Sequence, residues 1–288
     1  MQLSDIKDVL AFRAFRPEAD NPRFGWAQRF ASRRSVLLNI NKGSVNWVAI
    51  GKKGSIDEAG FEVGEFEEVL AKMSPRWNNL TDDGWIGISM NTRFVVTLEH
   101  NFSRQKGWES ELRTNPKSII GSKYDRAKRY ALHHSSQSNA SLMLACDESY
   151  IKSIEESLKA AELKPARICS GLFALTCNLL SEISSNKLYA GQNVLAIAWC
   201  QRSICVLRSK QSQWAELRCR SGLPDGDDAA VTQLLKPYID KSSPDTKVVF
   251  LGEAPANEFS TLYSNQLGTL ELNDITQENQ LWTTLTTG

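Results

Sequence analysis

The stretch from Val36 to Gly54 reads VLLNINKGSVNWVAIGKKG. Val36, Leu37, Leu38 and Ile40 predict a short apolar strand, and Val45 to Ile50 a second one. Between them, Asn41, Lys42, Gly43 and Ser44 carry the residue types of a tight polar turn, so the stretch predicts a β-hairpin. Downstream, Ser55 to Val63 predicts a third strand. Phe66, Val69, Leu70, Met73 and Trp77 then recur at helical spacing behind Glu65, Glu67 and Glu68, which suit a helix start. Trp85 to Met90 and Phe94 to Leu98 predict a fourth and a fifth strand.

The same order returns in the second half. Asn193 to Cys200, Ser203 to Ser209 and Gln213 to Cys219 predict three strands, followed by a helix from about Asp227 to Tyr238 and a buried strand over Lys247 to Leu251. Pro255 to Tyr263 and Ile275 to Leu285 predict further helices. Gly171 to Ile183 predicts a strongly apolar helix between the halves. A β-β-β-α-β-α order thus occurs over 36–90 and again over 193–264, which predicts two copies of one α/β unit with a cleft between them. Residues 100–164 interrupt the first copy. There Ser118 to Leu132 is basic and mixes helix and strand signals, Ser141 to Cys146 predicts a strand, and Asp147 caps a helix running to Leu163.

The totals bound the function. The chain has 288 residues, of which 41% are hydrophobic, enough for a sizeable core in two lobes. With 34 basic against 33 acidic residues, no global field favours nucleic acid. The six cysteines, at 146, 169, 177, 200, 205 and 219, show no metal-ligand spacing and predict free, mostly buried thiols in a reducing compartment. No apolar run reaches a membrane span, and no signal-peptide core follows Met1. These features predict a soluble, cytoplasmic chain. Residues 1–34 form a basic, aromatic arm with two readings: attachment to an anionic membrane surface, or packing on the body.

Four segments together resemble the actin-like superfamily, and within it the PilM-type proteins of type IV pilus assembly (including MSHA-type pili) and the cytoplasmic domain of GspL-type proteins of type II secretion. Leu38 to Asn46 is similar to that family's first strand and turn. Ala161 to Leu175 is similar to the connection into the second lobe, with Cys169 where an Asp is usual. Val194 to Arg208 matches the second phosphate hairpin in hydrophobic pattern, and Val248 to Pro255 resembles the strand and glycine turn that approaches adenosine. The resemblance implies a duplicated, two-lobed ribonuclease-H-like α/β fold. Its first lobe would comprise 35–99 and 165–192, its inserted α+β subdomain 100–164, and its second lobe 193–288.

The resemblance also implies where a nucleotide would sit: Asn39, Asn41, Lys42, Gly43 and Ser44 in the first hairpin, Ala196 and Ala198 in the second, Gly252 and Glu253 in the adenosine turn. Such a site needs a carboxylate on each first strand to organise Mg²⁺, and small residues where backbone N–H groups meet phosphate. Here Asn39 and Ala196 replace the carboxylates, and Asn41 and Ala198 replace glycines. Asn41 is expected to keep the turn's shape through a left-handed conformation. Lys42 reads as a phosphate contact or as a solvated turn lysine. Trp199 is expected to obstruct the second turn, and Glu253 to repel phosphate. The chain is therefore expected to hold no ATP or Mg²⁺, to have no catalytic or metal-ligating residues, and to be no enzyme. The alternative is an active actin-like ATPase that binds Mg-ATP between the lobes.

Other constellations are weaker. His133 and His134 lie in the polar run HHSSQSN and predict a solvated loop. Asp82-Asp83 and the Asp225, Asp227, Asp228 group stand before a strand and a helix, away from the first strand a two-metal nuclease would use. Of eight tryptophans, Trp47, Trp199 and Trp214 are candidates to line the cleft. The resemblance implies a scaffold at the cytoplasmic face of the inner membrane that captures the cytoplasmic segment of a PilN-like membrane protein, in a groove lined by 45–63, 85–98 and 140–150. Other pilus or secretion platform proteins are further partners on this reading, and nucleic acid is not.

Overall fold

A computed structural model describes residues 34–51, 55–103, 105–134, 140–172, 176, 187–189, 191–200, 203–210, 213–223, 228–239, 246–252 and 270–274. The opening hairpin is β1 (Ser35–Asn41) and β2 (Ser44–Ile50), followed by β3 (Ile56–Val63), α1 (Phe66–Leu80) and β4 (Trp85–Met90). Next come β5 (Val95–Asn101), α2 (Trp108–Thr114), α3 (Pro116–Ile120), β6 (Lys128–His134), β7 (Ala140–Asp147), α4 (Glu148–Ala160) and β8 (Lys164–Ser170). The second half contains β9 (Val194–Cys200), β10 (Ser203–Lys210), β11 (Gln213–Arg220), α5 (Asp228–Ile239), β12 (Lys247–Gly252) and β13 (Leu270–Asp274).

The internal repeat is literal in the strand order. One sheet runs β3-β2-β1-β4-β8 and another β11-β10-β9-β12-β13. In each, an antiparallel three-stranded meander is continued by two parallel strands. Parallel neighbours need a crossover of a dozen or more residues. The whole inserted unit supplies it between β4 and β8. That unit is a third sheet, β5-β7-β6.

Three expectations change here. The fifth strand, expected to close the first lobe, pairs antiparallel with β7, so a boundary at 99/100 cuts a strand of the insertion. His133 and His134 are strand residues opposite Leu142 and Ser141, because the ladder with β7 continues to the end of β6. Asp147 occupies the N-cap of α4 but its side chain makes no capping bond; the Glu148 amide instead donates to the Ala127 carbonyl at 2.8 Å. The two expected helices beyond Gly252 and the arm up to residue 33 lie outside the described residues, as does most of the helix expected over 171–183.

Strand alternation and helical spacing bring the core together. One face of the first sheet (Leu38, Ile40, Trp47, Ile86, Ile88, Ile168) receives Val69, Leu70, Met73 and Trp77 of α1 and Ile151, Ile154 and Leu158 of α4. Trp47 and Trp77 meet edge-on at 6.4 Å between ring centroids. The second sheet sends Leu195, Ile197, Ile204, Val206 and Val248 toward Val231, Leu235 and Tyr238 of α5. Its other face joins the central cluster through Val194, Ala196, Ala198, Cys205 and Leu207. The insertion has a small core of its own around Leu112, Ile120, Leu132 and Met143.

Two polar features tie the insertion down. Arg129 on β6 donates to Glu148 and to Glu155 of α4 at 2.6–3.1 Å, with only 14% of its side chain exposed. Burial opposes the guanidinium charge, and the two carboxylates that accept from it outweigh that cost and raise its pKa. The hydrogen bond from Arg129 in turn holds Glu148 below the usual carboxylate range. On the far side, Glu99 of β5 accepts from the Cys219 amide at 3.0 Å and from Arg218 at 3.1 Å, while the Thr97 amide donates to Ser221 Oγ at 3.2 Å. The insertion thereby reaches from the first lobe to β11 of the second.

Candidate functional site

The first hairpin closes through Lys42 and Gly43, with Asn41 opposite Ser44. Positive φ is confined to Gly43, at +72°, which is the φ signature of a type II turn. The space above Gly43 is open, and its carbonyl accepts from the Gly64 amide at 3.0 Å. Asn41 therefore does not hold the turn through a left-handed conformation. It is the last residue of β1, and its side-chain oxygen accepts from Asn91 Nδ2 at 3.0 Å. The Asn91 amide donates to the Ile40 carbonyl at 2.8 Å, so Asn91 clasps the hairpin to the exit of β4. Lys42 is exposed.

Asn39 stands two residues earlier on the same face as Asn41. In register beside it are Asn46 on β2 and Ser89 on β4, and beyond Ser89 comes Cys169 on β8. This is a polar row across a sheet whose other face is apolar. Its middle is closed to water: Asn39 is 6% exposed and Ser89 0%. Asn39 Oδ1 and Ser89 Oγ both lack a hydrogen-bond partner among the described residues. Position 39 is thus a dry polar site whose own side chain carries no charge.

Ala196 and Ala198 differ more sharply. Both are fully buried in the central core. Ala196 lies between Leu207 and Val249, and Ala198 between Cys205 and Leu251. The face that would look toward phosphate is lined by aliphatic groups and a thiol. Trp199 points the other way, as alternation along β9 requires, and packs on the α5 side of the sheet. It lies on the opposite face of the sheet from Ala196 and Ala198, which are buried in the central core. Trp47 likewise faces α1 rather than a cleft. The side chain of Trp214 lies outside the described residues, as do Glu253 and the β9–β10 turn. Gly252 ends β12 opposite Trp199 and Asp274.

The structure thus gathers Asn39, Asn41, Lys42, Gly43 and Ser44 at one hairpin and sets Ala196 and Ala198 into the interior of the other sheet. No three His, Cys, Asp or Glu side chains cluster among the described residues. Cys146, Cys205 and Cys219 are buried free thiols, and burial pushes Cys146 up to about 12. A cavity of about 310 Å³ opens elsewhere, between β5, β11 and α5, beside Glu99, Arg218, Arg220 and Gln233. No described helix is long and apolar enough to cross a membrane.

Ser89 and Asn91 escaped the sequence reading, since a lone Ser and Asn at the end of an apolar strand carry no motif. The exposed face of β3 escaped it for another reason. Its sequence IDEAGFEV alternates correctly, but the charged set, Glu58 and Glu62, faces α1, where Arg76 and Lys72 hold them. Phe61 and Val63 look outward, 60% and 81% exposed.

No protein-family model matches the chain, and no curated protein does. Solved structures do. A Bacteroides thetaiotaomicron protein with an actin-like ATPase fold and unknown function shares 7% identity over 87% of this chain and 96% of its own, with a TM-score of 0.57. The PilM-PilN type IV pilus biogenesis complex matches with a TM-score of 0.52 at 11% identity, over 88% of this chain and 95% of the matched chain. The cytoplasmic domain of EpsL, an inner membrane component of the type II secretion system of Vibrio cholerae, matches at 10% identity over 88% and 94%, with a TM-score of 0.49. The strand order, its repetition and the first two likenesses agree: the chain has the actin-like ATPase fold, two duplicated α/β lobes with a small subdomain inserted in the first.

Proposed function

We propose that this chain is a non-catalytic scaffold of a type IV pilus or type II secretion assembly platform, working at the cytoplasmic face of the inner membrane by binding the cytoplasmic segment of a PilN-like membrane protein. The likeness to the PilM-PilN complex supports the assembly role. The observation that carries the non-catalytic part is the pair of first strands. Asn39 is neutral and nearly dry, and Ala196 is walled in by Leu207 and Val249. The residues present do not fit a Mg-nucleotide: neither first strand offers a carboxylate for the metal's water shell, and Ala196 and Ala198 of the second are packed into the core.

The test has two arms. In a strain lacking the chain, pilus display or secretion is expected to fail, and both the wild-type chain and Asn39→Ala are expected to restore it. Affinity purification from solubilised membranes is expected to return an inner-membrane protein with a short cytoplasmic segment. Micromolar, Mg²⁺-dependent ATP binding by the purified chain, weakened by Asn39→Ala, would refute the reading.

A further inference from the structure

The face of β3 breaks the rule that sheets turn their apolar side inward. β3 is a terminal strand of its sheet, with no neighbour on its outer side among the described residues. Trp47 lies under Gly60, and Glu58 and Glu62 lean over α1 to Arg76 and Lys72. The alternate residues Ala59, Phe61 and Val63 are all exposed. A bare apolar strip beside an unpaired row of backbone N–H and C=O groups is an aggregation hazard unless something covers it. The strand carries no proline or lysine to blunt that edge. Between Asp57 and Glu68 there are six carboxylates and no Lys or Arg, and Glu65, Glu67 and Glu68 are exposed at the start of α1.

We propose that the open edge of β3 is a docking site for an extended segment of a partner protein in which apolar residues alternate with Lys or Arg. A strand added there continues the pleat. One set of its side chains lies beside Phe61 and Val63, and the other beside Glu58, Glu62 and the first turn of α1. Main-chain pairing supplies adhesion; the alternation supplies selection. Charge selects the occupant. A second copy of this chain is disfavoured, because antiparallel pairing of β3 with itself about Gly60 sets Glu58 opposite Glu62 on both sides of the axis, and like charges directly opposite destabilise a ladder. A segment emerging from the cytoplasmic side of a membrane span has the opposite bias, since such loops are enriched in Lys and Arg. The inference deepens the partner-binding reading above by giving that partner's segment a sequence class and a place.

The probe is a labelled nonapeptide alternating Val or Ile with Lys or Arg, titrated into the full chain by fluorescence anisotropy. Amide hydrogen exchange is followed over residues 56–63. Protection of β3 on binding is expected. Weakening by about tenfold or more is expected for the scrambled peptide with its apolar residues grouped, for Phe61→Ser/Val63→Ser, and for Glu65→Gln/Glu67→Gln/Glu68→Gln. All the substituted residues are exposed, and circular dichroism checks that both variants fold. Equal binding by the scrambled peptide, or by either variant, overturns the proposal, as does a peptide-free dimer that Phe61→Ser/Val63→Ser abolishes. The native membrane partner separates this from the broader reading. Capture by wild type and by Phe61→Ser/Val63→Ser alike sinks the β3 dock and leaves the scaffold standing. Capture by neither sinks the scaffold, while the peptide titration still decides the edge.

Discussion

Restoring the missing carboxylate should not restore a nucleotide site; it should damage the fold. Asn39→Asp keeps the side chain's shape and adds a charge at a position only 6% exposed. Buried acids rise by up to three to five pKa units when nothing compensates. Ser89 and Asn46 stand alongside and offer some hydrogen bonding, so a rise of about three units, to about 7, is the reasonable figure. At about 1.36 kcal/mol per unit, that is a loss of about 4 kcal/mol at neutral pH. The sign follows from linkage. The protonated acid resembles the amide, so no penalty exists below the unfolded carboxyl value near 3.9. It grows as pH rises toward the folded value and is constant above it. The expected loss is therefore about 1.5 kcal/mol at pH 5 and about 4 kcal/mol at pH 7.5. Urea denaturation followed by tryptophan fluorescence at both pH values measures it. Millimolar Mg-ATP should not recover the loss, whereas a site at a hundred times its Kd would return about 2.7 kcal/mol. An Asn39→Asp chain as stable as wild type at pH 7.5, or one rescued by Mg-ATP, would show that the hairpin is neither dry nor closed, and the case for a non-catalytic lobe would fall.

Two further outcomes are expected. Gly60→Ala sets a methyl group 2.5 Å from the Trp47 ring, which is wedged against Trp77 and beneath Arg76, so overpacking should cost about 1–3 kcal/mol and shift the indole emission, read in one thermal melt. Arg129→Met leaves Glu148 and Glu155 facing each other without the guanidinium between them, with Lys152 still 3.7 Å from Glu148, for a loss of about 3 kcal/mol in urea denaturation that Glu148→Gln/Glu155→Gln on the same background should largely recover. Because Arg129 depresses the Glu148 pKa, its support is present above the ordinary carboxylate range and fades as pH falls through the lowered value, so the gap between wild type and Arg129→Met should narrow from pH 7 to pH 4.

The meanders were legible because hairpins announce themselves locally: apolar runs in β1, β2, β9 and β10 parted by short turns, and glycine in the first turn. The helices α1 and α5 were legible from spacing. β8 and β13 were not. KPARICS begins with a lysine and a proline inside a connecting segment, and LELND is short and polar-ended. Each becomes a strand because a parallel neighbour, β4 or β12, offers it a ladder. The strand Val95–Asn101 was found but assigned to the wrong sheet, since a strand's partner is not written in its own residues. At the candidate site, sequence gave the identity of Asn39 and Ala196 but not their burial. The inward or outward sense of Trp199 follows from alternation, and it was missed because a bulky residue near a turn invites a steric reading.

The Glu99 bonds bear on how the two lobes can move. In a two-lobed fold the simplest motion is a scissoring about the junction. Here a crosspiece rooted between β4 and β8 reaches over and grips β11 through a backbone amide, a guanidinium and a hydroxyl. Scissoring would pull β5 away from β11 and strand the Glu99 carboxylate. A frame braced in this way resists a change in the angle between its lobes, because any such change must first break the bonds that Glu99 and Thr97 make.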